Sequence, residues 1–237
     1  MTIREDEVKD AILKNEQLFS DTSGSMLIYE KSVYYHKLIA DVLMLTKDSG
    51  ICGIEIKTEG DNLSRLPHQL DYYVRSCSYV YVFCHDSHLE KVLELLDNKQ
   101  YPFVGVISYE DFEGEVIAGT IREATWSPLL SIRAAASMLW KSEVYDILRT
   151  YLSQSPSKRN ADLRVHNYAG IVNKKTKYKQ LLRMFSKTFS NYDGISIISN
   201  FLISGKYSDE KPLQIYYFGD DYQHGSKTFE QGYHRGK

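Results

Sequence analysis

Three observations predict an α/β fold with a mixed central sheet flanked by helices. Short apolar, β-compatible runs at 38–45, 51–57, 79–83 and 103–107 alternate with amphipathic stretches. The run at 79–83 is continuously apolar, as in a strand covered on both faces. The composition supplies a core: of 237 residues, 43% are hydrophobic and 13% aromatic, with 19 Tyr, against 25% charged. Those values sit near the globular average and exclude a disordered, collagen-like or disulfide-scaffold chain. The length suggests one domain plus a substantial extension.

The elements follow in order. A first helix spans 4–19, with Val8, Ile12 and Leu13 on its apolar stripe, and 26–30 reads as a short strand. The strand at 38–45 turns through 47–50 into the strand at 51–57, with Gly50 in the left-handed position of a three-residue loop. Lys47 would then pair with Ile51, and Asp41 would fall opposite Lys57. A helix covers 66–76, with Pro67 tolerated in its first turn. After the strand at 79–83, Ser87 caps a helix over 87–96 that carries Leu89, Val92, Leu93 and Leu96 on one face. The strand at 103–107 closes the first region.

The second region reads as helical. Ser127 and Pro128 mark a helix start for 129–140, Ser142 caps 143–151, and 177–189 forms a basic, aromatic helix. The apolar run 195–203 fits a strand or a helix equally. The boundary lies within 118–127, giving a core of 1–122 and a helical region of 123–237 with a frayed tail over 220–237.

The formal net charge of −2 conceals an asymmetry. Residues 1–156 hold 15 basic and 24 acidic groups, net −9, whereas 157–189 hold nine basic groups and the single acid Asp162, net +8. Within that block Lys174, Lys175, Lys177, Lys179 and Arg183 interleave with Tyr178, Phe185 and Phe189, a pattern suited to phosphate contacts with base stacking, or to a solvated amphipathic helix. Cys52, Cys77 and Cys84 are odd in number and fit no zinc spacing, so they read as buried reduced thiols. No apolar run reaches membrane-span length, and the acidic start at 1–10 is unlike a secretory leader. The expectation is a soluble cytoplasmic protein that does not engage a membrane.

The chemistry concentrates in Asp41 and Glu55-Ile56-Lys57. Alternate strand residues share a face, so Glu55 and Lys57 point the same way, and Asp41 becomes a diagonal neighbour of Glu55 across the hairpin. Asp41 interrupts the apolar run Leu38-Ile39-Ala40 and Val42-Leu43-Met44, where a charge needs a partner. Two carboxylates on a rigid hairpin suit Mg²⁺ or Mn²⁺, with the Ile56 carbonyl as an added ligand and Lys57 able to orient water or meet developing phosphoryl charge.

Asp41, then Gly53-Ile54-Glu55-Ile56-Lys57, then Asp61-x-Leu63-x-Arg65-Leu66-x-x-Gln69-x-x-x-Tyr73, resembles the PD-(D/E)XK nuclease superfamily. Within it the pattern is similar to a family of bacterial and phage proteins, and more distantly to MmcB-type DNA-repair nucleases. The resemblance covers 30–107, about a third of the chain, and continues weakly past Trp126 and Trp140. It implies a restriction-endonuclease-like core and a metal-dependent nuclease. Asp41 and Glu55 would be metal ligands, Lys57 the catalytic lysine, and Gln69 a helper in positioning substrate or metal. Asp61 would cap the helix or accept from Arg65, Arg65 would contact substrate, and Tyr73 would pack. Glu30 matches an acid before the Asp strand, and the outermost ligand would be Glu30 or an acid of the first helix, with Glu5, Glu7 and Asp10 as candidates among which the sequence does not choose. Two family features are missing: Ile39 stands where relatives carry Arg, and Ser76-Cys77-Ser78 lacks an acid.

The resemblance implies a nucleic-acid partner, DNA ahead of RNA. Alternatives are a catalytically inactive nucleic-acid-binding module on the same fold, or a protein-interaction component acting through its Tyr-rich surface, with a homodimer or protein partner. His85, Asp86 and His88 read as a capped strand-to-helix loop or a small metal cluster, and His68 as a polar helix face beside Gln69.

Overall fold

The computed structural model describes residues 5–15, 18–19, 26–46, 50–153, 172–203 and 215–217. The expected loop residues Lys47, Asp48 and Ser49, the start of the basic block and the expected tail at 220–237 lie outside the described residues.

The protein is α/β, built on one mixed seven-stranded sheet in the order β6-β5-β4-β3-β2-β1-β7. The strands are β1 Met26–Val33, β2 Leu38–Thr46, β3 Gly50–Lys57, β4 Tyr79–His85, β5 Gly105–Phe112, β6 Glu115–Arg122 and β7 Ile215–Tyr217. β1, β2 and β3 form an antiparallel meander, β4 and β5 add in parallel, and β6 and β7 are antiparallel edges. The helices are α1 Glu5–Lys14, α2 Leu66–Ser76, α3 Leu89–Asn98, α4 Ile132–Ala135, α5 Lys141–Ser153, α6 Tyr178–Thr188 and α7 Asn191–Ile203.

Strand alternation divides the core between two faces. Val42, Met44, Cys52, Ile54, Tyr81 and Phe83 point to the face covered by Val8 and Ile12 of α1. Leu43, Leu45, Ile51, Val80 and Val82 point to the other, where α2 to α7 pack into one larger cluster. The helices after residue 123 therefore close the sheet rather than hang from it. α7 shows how: Ile195, Ile198, Ser199 and Leu202 recur at helical spacing and are buried, and the Ser199 hydroxyl bridges the Thr46 and Gly50 carbonyls at 2.7 and 3.0 Å. The undecided run at 195–203 is thus a helix.

Several expectations need correction. Leu45 opposes Ile51 and Thr46 opposes Gly50, so the register differs by two residues from the expected Lys47–Ile51 pairing. An even shift preserves faces as far as Val42; there β2 breaks step, because Leu38 and Ala40 join the same core cluster as Leu43 and Leu45, and Asp41 sits at the break. Gly50 does take a positive φ, of 90°. The strand expected at 103–107 instead runs to Phe112 and turns through Glu113-Gly114, both at positive φ, into the unforeseen β6. The helix expected over 129–140 is reduced to α4 and a 3₁₀ turn at Ala136–Met138. Ser127 caps nothing there: it is buried, and its hydroxyl donates to the Val74 carbonyl at 2.6 Å, tying the chain to α2. Cys52, Cys77 and Cys84 are free and buried.

The seating of α2 on β3 depends on Gly53. A Cβ there would lie 2.5 Å from Tyr73 Cδ1 and 2.9 Å from Cys77 Sγ. Gly53→Ala should therefore push α2 off the sheet and cost about 1–3 kcal/mol. Urea denaturation should show a lower midpoint, and an unchanged midpoint would mean that α2 does not seat as described.

Candidate metal centre and basic face

The site forms where the β2–β3 ladder stops. Val42↔Ile54 is the last backbone pair, and one further step in the same register sets Asp41 against Glu55. There the Asp41 carboxylate replaces the backbone: its Oδ2 accepts the Ile56 N–H at 2.8 Å. The Tyr73 hydroxyl, buried on α2, accepts the Asp41 N–H at 2.9 Å and donates to the Ile54 carbonyl at 3.3 Å. Tyr73 packs, as expected, and also fixes the backbone that carries both acids.

Glu55 is fully buried. Its Oε1 takes the Lys57 ammonium at 2.5 Å, and that ammonium also donates to the Ile56 carbonyl at 3.1 Å. Lys57 is itself only 7% exposed. Among the described residues Glu55 Oε2 has no hydrogen-bond partner, and neither has the buried Oε1 of Gln69. Gln69 precedes Tyr73 by one turn on the same face of α2, about 5–6 Å nearer the Lys57 end of β3. Glu55 Oε2 is thus an acceptor shut away from water with no donor among the described residues, and Gln69 Oε1, on the helix that packs over β3, is another. Such groups are expensive unless something satisfies them.

Its electrostatics agree. Burial, with the Asp41 charge adding to it, pushes the Glu55 carboxyl up to about 7, against the pull of Lys57. Burial also raises Asp41, against the Ile56 N–H and Lys57, with Glu5 opposing and Lys9 aiding ionisation. With both acids ionised, one ammonium faces two carboxylates. A cation or a proton restores the balance.

The other expected residues sit as follows. Glu30 is exposed, at φ 55°, and accepts Lys9 at 3.3 Å, while Glu5 accepts the same ammonium at 2.9 Å. Glu7 and Asp10 are exposed on α1. Among the described residues, no group of three or more His, Cys, Asp or Glu converges as a metal cluster. That includes His85, Asp86 and His88: His85 bonds Ser87, Asp86 accepts Ser108, and His88 Nε2 bonds the Thr58 carbonyl at 3.0 Å. Asp61 neither caps α2 nor takes Arg65. It accepts the Thr58 N–H and hydroxyl at 2.6 and 2.7 Å, closing the turn after β3, while Asn62 caps the 3₁₀ turn Leu63–Arg65 and α2 itself has no side-chain cap. Arg65 is exposed at the start of α2, and His68 pairs with Tyr72. Lys9 was missed in the sequence; its signal is the Glu5–Lys9 spacing of four.

The basic residues Lys174, Lys175, Lys177, Lys179 and Arg183 are all exposed, on α6 and the turn before it. Of these, Lys175 and Arg183 line a cleft that none of the carboxylate-site residues lines. The expected aromatic interleaving fails: Phe185 and Phe189 are in the core, and the Tyr178 hydroxyl donates to the Leu139 carbonyl at 2.6 Å. The helix is amphipathic, so residues adjacent in sequence point to opposite sides of it.

A carboxyl that holds its proton more tightly folded than unfolded stabilises the fold at low pH. That contribution fades as pH rises from the ordinary value of 4.5 through about 7. Without divalent cations, wild type should therefore lose thermal stability between pH 5 and pH 8 more steeply than Glu55→Gln. Parallel pH profiles would contradict this account of Glu55.

Among the described residues no helix is long and apolar enough to cross a membrane. No curated protein and no solved structure matches the chain. A family model does: that of bacteriophage P4 protein cII, over residues 1–199. The match spans most of the sequence, including the Asp41–Lys57 hairpin and α6, and the chain belongs to the bacteriophage P4 cII protein family.

Proposed function

We propose that the chain is a metal-dependent nuclease of PD-(D/E)XK type, with a restriction-endonuclease-like core, that hydrolyses phosphodiester bonds, DNA ahead of RNA. The observation that carries the reading is the buried Glu55–Lys57 pair beside the partly buried Asp41, with Glu55 Oε2 unsatisfied among the described residues.

The residues fit a hard divalent ion. Asp41 and Glu55 would hold Mg²⁺ or Mn²⁺, with the Ile56 carbonyl beside them, and so few protein ligands suit an ion that keeps water and substrate oxygens. When bound, the ion polarises a phosphoryl oxygen and lowers the pKa of water. The chain's own work is positional. Tyr73 and the Ile56 N–H fix Asp41 on its strand. Lys57 presents an ammonium, now shared by Glu55 and Ile56, to the charge that builds on the phosphorus oxygens. The Gln69 amide oxygen would accept a hydrogen bond from the attacking water and so orient it. Arg65, exposed at the start of α2, contacts the flanking phosphate.

One observation favours an inactive nucleic-acid-binding module instead: Lys57 occupies Glu55 as an internal cation, and no third acid joins the pair among the described residues.

Incubation with Mg²⁺ or Mn²⁺ and a panel of DNA and RNA substrates separates the readings. Wild type should cleave, and Asp41→Ala, Glu55→Ala and Lys57→Ala should each lower the rate by about a hundredfold or more. No cleavage by wild type, or equal cleavage by Glu55→Ala, would overturn the nuclease reading.

A further inference from the structure

Away from the carboxylates, the turn before α6 folds back over that helix and leaves a cleft of about 490 Å³, lined chiefly by Lys175, Thr176, Gln180, Arg183, Met184 and Lys187. Gln180, Arg183 and Lys187 recur at three- and four-residue spacing, so they share one face of α6. Leu181, Leu182 and Phe185 turn into the core.

The polar lining is made of donors. No carboxylate lines the cleft, and Lys175, Arg183 and Lys187 join no ion pair among the described residues. Gln180 Oε1 is taken by the Lys177 N–H at 3.2 Å, which leaves its NH₂ for a ligand. The Asn173 Oδ1 is likewise taken by the Lys175 N–H at 2.9 Å. A lining of donors matches a ligand of acceptors, and the planar Arg183 fork suits a phosphate. The volume is that of a small-ligand site and accommodates about one nucleotide unit, not a protein domain. Arg183 and Lys187 are about 6 Å apart along the helix axis, a spacing that lets each meet a different phosphate of one strand. No aromatic residue lines the cleft, so it offers a base nothing to stack on.

We propose that this cleft binds the phosphate backbone of a nucleic-acid strand without reading its bases. The binding stands apart from hydrolysis and holds whether or not Asp41 and Glu55 support turnover.

Fluorescence anisotropy with the full chain in EDTA, where no metal-dependent cleavage occurs, tests the proposal on single-stranded DNA of about 20 nucleotides. Arg183→Gln with Lys187→Gln should weaken binding about tenfold, as befits two charge-assisted contacts. The slope of log affinity against log salt should fall by about 1.4. Lys174→Gln with Lys179→Gln removes as much charge outside the cleft and should leave affinity within about twofold. All four side chains are exposed, and the single Lys187→Gln variant, a smaller disturbance, should show about half the slope change. Oligo-dA and oligo-dT should bind alike, and inorganic polyphosphate should compete where polyglutamate does not. Equal weakening by both double variants would reduce the effect to bulk charge and overturn the cleft. No weakening by either, or equal competition by polyglutamate, would overturn the proposal as well. Glu55→Gln with binding intact and cleavage lost separates this outcome from that of the nuclease reading.

Discussion

A carboxylate buried from water, Glu55, sits beside one ammonium and near a second, partly buried carboxylate, Asp41, and much of the local structure serves that imbalance. Asp41 and Glu55 both sit above their ordinary pKa because burial penalises their charges, and the Asp41 charge adds to the effect on Glu55. Lys57 offsets part of this by binding Glu55 and the Ile56 carbonyl together. It cannot reach everything, and Glu55 Oε2 is left without a donor. A buried charge set of this kind adds little stability and persists where the site is used.

The surrounding fold holds the imbalance in place. Gly53 lets α2 approach β3 closely enough for Tyr73 to lie against the sheet. Tyr73 then satisfies the Asp41 N–H at the point where the β2–β3 ladder ends. Asp61 closes the turn from β3 toward α2, and Ser127 ties the later chain to the back of that helix. The C-terminal helices complete the same face through Ser199 and Ile198, which seat α7 on the start of the hairpin.

The sheet was legible where burial acts on both faces. The runs at β3 and β4 are apolar or motif-bearing throughout and stand out from their flanks. β6 was not legible, because an edge strand carries polar and apolar residues on an exposed side, and its Glu-Gly turn is a weaker signal than Asn-Gly. The stretch after Ser127 has helical composition, yet tertiary contacts break it into a short helix and a 3₁₀ turn. At the site, the sequence pattern brought Asp41, Glu55 and Lys57 to neighbouring positions of one hairpin, and this survived a loop placed one residue too late because the resulting register shift was only two residues. The role of Asp61 was not readable, since a short acid can close its own turn as readily as cap a helix. The α6 aromatics misled for a plain reason: interleaving in sequence becomes segregation on a helix.

The charge asymmetry now has a spatial form. The acidic body contains the carboxylate pair, while the cations of α6 line a separate cleft on the opposite end of the sequence's matched region. The central claim is that the Asp41–Glu55 pair awaits a cation, and its most direct test is Mn²⁺ binding followed by electron paramagnetic resonance. The account predicts a single tight Mn²⁺ per chain that Mg²⁺ displaces and that both Asp41→Asn and Glu55→Gln abolish. Wild type that binds no Mn²⁺, or variants that bind it as tightly as wild type, would contradict it.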